Sequence, residues 1–176
     1  RVGSLLSLNA MSEDLEISPH TVRTWMDLLC RNYYTYRVAP YHRRIERALK
    51  KAAKYYLWDW SEVKEEGARF ENLIASHLLK FCHFLRDAEG VNTDLRFVRD
   101  REKREVDFVV LWDEAPWFLV ECKLTAPRSH RHLVRFAERL TVKQRYCVTL
   151  SEKDDYEDRR TGVRVLPASR FLTAVV

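Results

Sequence analysis

The chain has 176 residues, a formal net charge of +5 left by 31 basic and 26 acidic side chains, and 46% hydrophobic content. That suits one domain of ordinary size, or two small ones sharing a core, and no apolar run approaches the ~18 residues of a membrane helix. With no signal peptide the expectation is a soluble, cytoplasmic protein. The charge permits an anionic partner without demanding one. Four cysteines, Cys30, Cys82, Cys122 and Cys147, lack C-x-x-C spacing and read as reduced, buried thiols rather than zinc ligands or disulfides. A start at Arg1 with no initiator Met reads as a fragment.

The N-terminal part predicts a helix-turn-helix. Leu8 to Leu15 forms a short helix, Glu16-Ile-Ser18 a turn, and Ser18-Pro19 an N-cap followed by proline at the first helical position. Val22, Trp25, Met26 and Leu29 are expected on the inner face of the second helix, with His20, Arg23, Thr24 and Asp27 outside. Tyr33 to Val38 is β-rich and fits a wing. Such a unit reads DNA through its second helix or serves as a protein interface; the acids Glu13, Asp14 and Glu16 favour the interface, with Arg23 kept as a candidate nucleic-acid contact. Arg43, Arg44, Arg47, Lys50, Lys51 and Lys54 then crowd a helix-like connector whose only acid is Glu46. Tyr55-Tyr-Leu-Trp-Asp-Trp60 reads as an aromatic strand, for core packing rather than base stacking.

In the segment after Gly67, Phe70, Ile74, Leu78, Phe81 and Leu85 recur at helical spacing, with Glu71 at the edge of that stripe. A strand is expected near Leu95 to Val98. Two apolar runs follow, Glu105 to Trp112 and Trp117 to Leu124, separated by the turn formers Asp113-Glu-Ala-Pro116, and they predict an antiparallel hairpin. Each run carries charge a buried strand should avoid: Asp107 in the first, Glu121 and Lys123 in the second. By alternation Asp107 shares a face with Val109 and Leu111, and Glu121 and Lys123 share one with Leu119. Symmetric closure brings Asp107 nearly opposite Glu121, a like-charge conflict that mutual pairing or a bound cation relieves. Two carboxylates plus waters are what Mg²⁺ prefers, with Mn²⁺ as its substitute. Lys123 would then orient a water or stabilise an anionic transition state. Glu105 is an alternative or additional ligand.

A helix from Arg131 to Leu140 and a strand from Arg145 to Leu150 come next. Arg128, Arg131 and Arg135 with His130 and His132 form a second basic group, either a phosphate-contacting patch or a solvated face. Ser151 to Gly162 reads as a solvated loop, Val163 to Leu166 as a last strand, and Pro167 to Leu172 as the start of a short helix.

The spacing of Asp107, thirteen residues, then Glu121-x-Lys123, with Glu71 on the preceding helix, resembles the PD-(D/E)XK restriction-endonuclease-like signature. The element order αβββαβ agrees with the core of that superfamily. Over nearly the whole chain, from Ser18-Pro-His-Thr-Val-Arg-Thr-Trp25 through Gly67-Ala-Arg-Phe-Glu-Asn72 to Lys103-Arg-Glu-Val-Asp107 and Pro116-Trp-Phe-Leu-Val-Glu-Cys-Lys123, the sequence resembles the C-terminal region of prokaryotic AAA+ superfamily ATP-binding proteins. The resemblance implies an α/β protein: a winged helix-turn-helix over 1–41, a basic connector helix over 42–54, and a restriction-endonuclease-like domain with a mixed central sheet over 55–176. It also implies a catalytic set of Glu71, Asp107, Glu121 and Lys123, with Asp107, Glu121 and Glu71 as the Mg²⁺ ligands, acting on phosphodiesters of nucleic acid. The alternative is a catalytically inactive module that couples an ATPase to DNA or a partner protein. Nothing in the chain matches G-x-x-x-x-G-K-S/T, so no ATP site is expected here. The nuclease reading requires that Asp107 and Glu121 not fall on opposite faces of the sheet.

Overall fold

The computed structural model describes residues 2–41 and 52–175. Of the basic connector helix expected over 42–54, residues 42–51 lie outside the described residues. Helices α1 (Leu8–Asp14) and α2 (Pro19–Arg31) form as the capping residues dictate: Ser7 Oγ accepts from Ala10 N–H at 3.2 Å and Ser18 Oγ from Thr21 N–H at 3.0 Å. Only Val22 and Met26 of the expected inner face are buried. Trp25 is 50% and Leu28 57% exposed, and Leu29 is exposed as well, so the covered stripe on α2 is narrower than the sequence pattern suggests. Its contacts are with α1 and with one strand, which covers little more than one side.

Helix α3 (Glu66–Glu89) is capped by Glu65, whose carboxylate accepts from Gly67 and Ala68 N–H at 2.9 and 2.5 Å. It stops at Gly90, which takes the left-handed φ of 68° that a helix terminus favours there. The remaining helices are α4 (Arg131–Leu140) and α5 (Ala168–Leu172). No helix among the described residues is long and apolar enough to cross a membrane.

Among the described residues nine strands join in one mixed sheet of order β1-β3-β2-β4-β5-β6-β7-β9-β8. They are β1 (Leu5–Leu6), β2 (Thr35–Pro40), β3 (Ala53–Leu57), β4 (Thr93–Arg99), β5 (Glu105–Trp112), β6 (Ala115–Lys123), β7 (Gln144–Thr149), β8 (Tyr156–Asp158) and β9 (Val163–Pro167). From α3 to β7 the element order is the expected αβββαβ. The strand read as a wing, β2, pairs antiparallel with β3 and parallel with β4, so the sheet runs unbroken across the boundary expected near residue 41. Lys54, assigned by its basic neighbours to the connector, lies in β3 instead. Within the segment expected to be a solvated loop, Tyr156–Asp158 pairs with β9 as a three-residue edge strand. Its charged, short character is how edges resist further pairing, and it masks the strand signal.

The hairpin forms, with a tighter turn than expected. Ala115 and Pro116 belong to β6, and Asp113 and Glu114 alone make the turn at φ 48° and 66°, the paired positive values of a two-residue type I′ connection. Two apolar layers sandwich the sheet. Ile74, Leu78, Phe108, Val110, Val120 and Phe171 pack on the α3 side, whereas Val109, Leu119, Leu133, Phe136, Val163 and Val165 pack on the α4 side. Val109 and Leu119 thus support the opposite layer from Ile74 and Leu78. Burial of each such side chain contributes about 1.5–3 kcal/mol, which fixes the sheet end where the charged residues gather.

Candidate functional site

Glu71, Glu105 and Asp107 converge on an ammonium that sequence reasoning missed. Lys54 Nζ lies 3.1 Å from Glu71 Oε1, 2.6 Å from Glu105 Oε1 and 4.0 Å from Asp107 Oδ1, with its side chain only 3% exposed. Burial works against its charge, but Glu71, Asp107 and Glu105 together outweigh that and hold its pKa above the ordinary lysine value. Tyr56 Oη donates to the same Glu71 oxygen at 2.6 Å, and Arg99 donates to Glu105 Oε2 at 2.9 Å. Gly3 closes the cluster from outside: its φ is 72°, and a Cβ there would meet Glu71 Oε1 at 3.1 Å. The usable signal in the sequence was a lysine inside an aromatic, strand-like run, two residues before Tyr56.

Asn72, next to Glu71 on α3, is a polar residue that is fully buried. Its side chain takes both backbone groups of Leu57, accepting from the N–H at 2.9 Å and donating to the C=O at 2.8 Å. This clamp fixes the helix face that carries Glu71 against β3, the strand that carries Lys54.

Asp107 departs from the expected face. Arg96 pairs with Val109 and Val98 with Val106, so β5 holds one residue more than β4 between these pairs, a bulge at Asp107 and Phe108. The bulge releases Asp107 from the alternation that would align it with Val109 and Leu111. Its Oδ1 looks toward Lys54, and its Oδ2 accepts from Cys122 N–H at 2.8 Å, in the seam between β5 and β6 just past the last paired residues, Phe108 and Val120. Glu121 and Lys123 follow Leu119 on the α4 side. Asp107 therefore sits in the seam, close enough to Glu121 on the α4 side for that charge to raise its pKa.

Burial first, then the charges of Glu121 and Glu71, push the Asp107 carboxyl well above the usual carboxylate range, against the opposing pull of Lys54. Glu121 Oε1 pairs with Lys123 Nζ at 2.7 Å, while Glu121 Oε2 is buried without a hydrogen-bond partner among the described residues. Lys123 loses charge stability to burial but gains more from Glu121 and Asp107, so its pKa is raised.

Of the basic candidates, Arg128, Arg131 and Arg135 line one groove of about 320 Å³, together with His130 and Arg160. Arg23 lies elsewhere, beside Asp27 and Arg37 in a groove of about 410 Å³. No group of three or more His, Cys, Asp or Glu side chains among the described residues is disposed as a ready set of metal ligands. Several carboxylate oxygens are already engaged: Lys54 and Tyr56 take Glu71 Oε1, and Cys122 N–H takes Asp107 Oδ2. What remains is Glu71 Oε2, Asp107 Oδ1 with Lys54 no nearer than 4.0 Å, and the orphan Glu121 Oε2. These are hard oxygens, and Mg²⁺ is commonly held by one or two carboxylates with waters and substrate phosphate completing the shell, so the donor chemistry fits.

Residues 66–171 match a family model described as Domain of unknown function (DUF4143), and residues 1–62 match a second, Domain of unknown function (DUF8612). The two matches meet within the short stretch after β3, not at the boundary expected near residue 41. No curated protein and no solved structure matches the chain.

Proposed function

Because the chain belongs to the DUF4143 family, whose description carries no activity, we propose from its side chains that it is a nuclease-like module that hydrolyses phosphodiesters of nucleic acid with Mg²⁺ or Mn²⁺. The observation that carries this reading is the excess of carboxylate at the seam. Glu71, Glu105, Asp107 and Glu121 face Lys54, Arg99 and Lys123, one Glu121 oxygen has no partner, and Asp107 holds its proton far more tightly than a free carboxylate. Asp107 and Glu121, with Glu71 assisting, would hold the divalent cation, which would supply Lewis acidity at the scissile phosphate and a more acidic water. Lys123, half exposed beside Glu121, orients the nucleophile and faces the charge that develops on the phosphate. The αβββαβ order and the Asp107, Glu121-x-Lys123 spacing support a restriction-endonuclease-like core.

The N-terminal helices fit a coupling role better than DNA reading. The exposed Trp25 and Leu28 on α2 offer apolar contact, and β2 and β3 tie this part into the catalytic sheet. By resemblance the partner is an AAA+ ATPase module of the parent protein, where ATP is handled. One observation favours the alternative of an inactive module: Lys54 already bridges Glu71, Glu105 and Asp107, as a built-in cation would.

Cleavage of single- and double-stranded DNA and RNA with Mg²⁺, Mn²⁺ or chelator separates the two. The nuclease reading expects metal-dependent turnover lost in Lys123→Ala by about a hundredfold or more, the scale of a transition-state charge contact. Metal-independent nicking, or equal activity in Lys123→Ala, contradicts it.

A further inference from the structure

The groove at the start of α4 holds more than the arginines that the sequence singles out. Arg160, from the turn between β8 and β9, joins Arg128 and Arg131 there, and none of the three forms an ion pair among the described residues. Arg135 is partly engaged, 3.8 Å from Glu102. Glu138 and Asp158 line the same groove, but Asp158 is already held by Thr161 Oγ1 at 2.7 Å and Arg160 N–H at 3.0 Å. The lining therefore keeps a surplus of positive charge with open donors.

His130 supplies the independent observation. It is 7% exposed, lines the groove, and its ring makes no hydrogen bond among the described residues. It is also the N-cap residue of the ten-residue α4 and makes no side-chain cap bond, so the first N–H groups of that helix lack a side-chain acceptor. Burial lowers its pKa, with Asp158 and Glu121 pulling the other way, which puts the groove within electrostatic reach of Glu121.

We propose that this groove is an anchoring site for one phosphate group of a nucleic-acid strand, bound by Arg128, Arg131 and Arg160, by His130, and by the open N–H groups of α4. Tetrahedral oxygens suit donors arriving from several directions, and the helix N-terminus adds its dipole. The inference rests on the nucleic-acid reading above and names the contact that fixes the strand relative to Glu121. The phosphate is either a terminal monoester or an internal diester, and these are told apart by the strand end.

The test is equilibrium binding of the full chain, in metal-free buffer at fixed salt, to 5′-phosphorylated and 5′-hydroxyl oligonucleotides of one sequence, with inorganic phosphate as competitor. Arg131→Gln, Arg160→Gln and His130→Asn should each weaken binding by about tenfold, the scale of a charge-assisted contact. Arg139→Gln, on α4 but outside the groove, should change it less than twofold. Preference for the phosphorylated end, relieved by inorganic phosphate, assigns a terminal monoester; equal binding of both strands with the same mutational losses assigns an internal diester. Because Arg160 is exposed, its variant retains the fold even where His130→Asn does not. Equal weakening by Arg139→Gln, or no loss in Arg131→Gln and Arg160→Gln, overturns the proposal. Groove-dependent binding without cleavage removes the nuclease reading and leaves this one standing.

Discussion

The two sides of the acidic seam differ in how completely their charges are satisfied. On the α3 side, Lys54 is buried between Glu71 and Glu105 and reaches Asp107 in the seam, Tyr56 and Arg99 add donors to Glu71 and Glu105, and Gly3 seals the outside. On the α4 side, Glu121 has one oxygen on a half-exposed Lys123 and the other on nothing. A closed ion network stabilises only as a whole, because each charge is desolvated on the assumption that its partners are present. The open side tolerates change and keeps a coordination position free. On the proposed reading, the contrast separates scaffold from chemistry within a few residues of each other: Lys54 and Asn72 hold the carboxylates in place, and Glu121 and Lys123 would act.

Breaking the closed side should have the largest effect. Lys54→Met removes the shared cation and leaves three acids facing one another in a buried site, at an expected cost of about 3–5 kcal/mol in urea unfolding. The matching change on the open side, Lys123→Met, should cost about 1 kcal/mol or less, since that side chain is 41% exposed and its pair is solvent-screened. Equal losses would mean that the two sides form one network and that the distinction is wrong.

A smaller effect follows from Asp107. Its folded pKa lies above the unfolded value near 3.8, so between the two values the folded state binds the extra proton and stability falls as pH rises through that window. Urea unfolding of the metal-free protein from pH 4 upward should show that decline, and Asp107→Asn should flatten it. Saturating Mg²⁺ should flatten it too, because the cation takes the place of the proton. A stability that climbs through the same window would contradict the raised pKa.

Much of this was legible in the sequence because it rests on local periodicity. The stripe of Phe70, Ile74 and Leu78, the hairpin around Asp113 and Glu114, and the Ser18-Pro19 helix start are each set by neighbours in the chain, and each forms. What was hidden depends on contacts between distant segments. Lys54 looked like one more residue of a basic run, and only its pairing position in β3 brings it under Glu71. The bulge at Asp107 arises from a mismatch between β4 and β5 that neither strand reveals alone. Trp25 and Leu29 follow a helical stripe that the fold does not cover. His130 and Arg160 lie thirty residues apart and meet only because β8, disguised as a charged loop, folds back beside α4.

The most direct test of the central claim is calorimetric titration of the metal-free chain with Mn²⁺ at neutral pH, for the wild type, Asp107→Asn and Glu121→Gln. If the open side of the seam is a cation site, the wild type binds one ion saturably, and both variants lose at least tenfold in affinity. No saturable binding, or binding unchanged in both variants, would mean that Lys54 is the only cation the seam requires and that the carboxylates are structural.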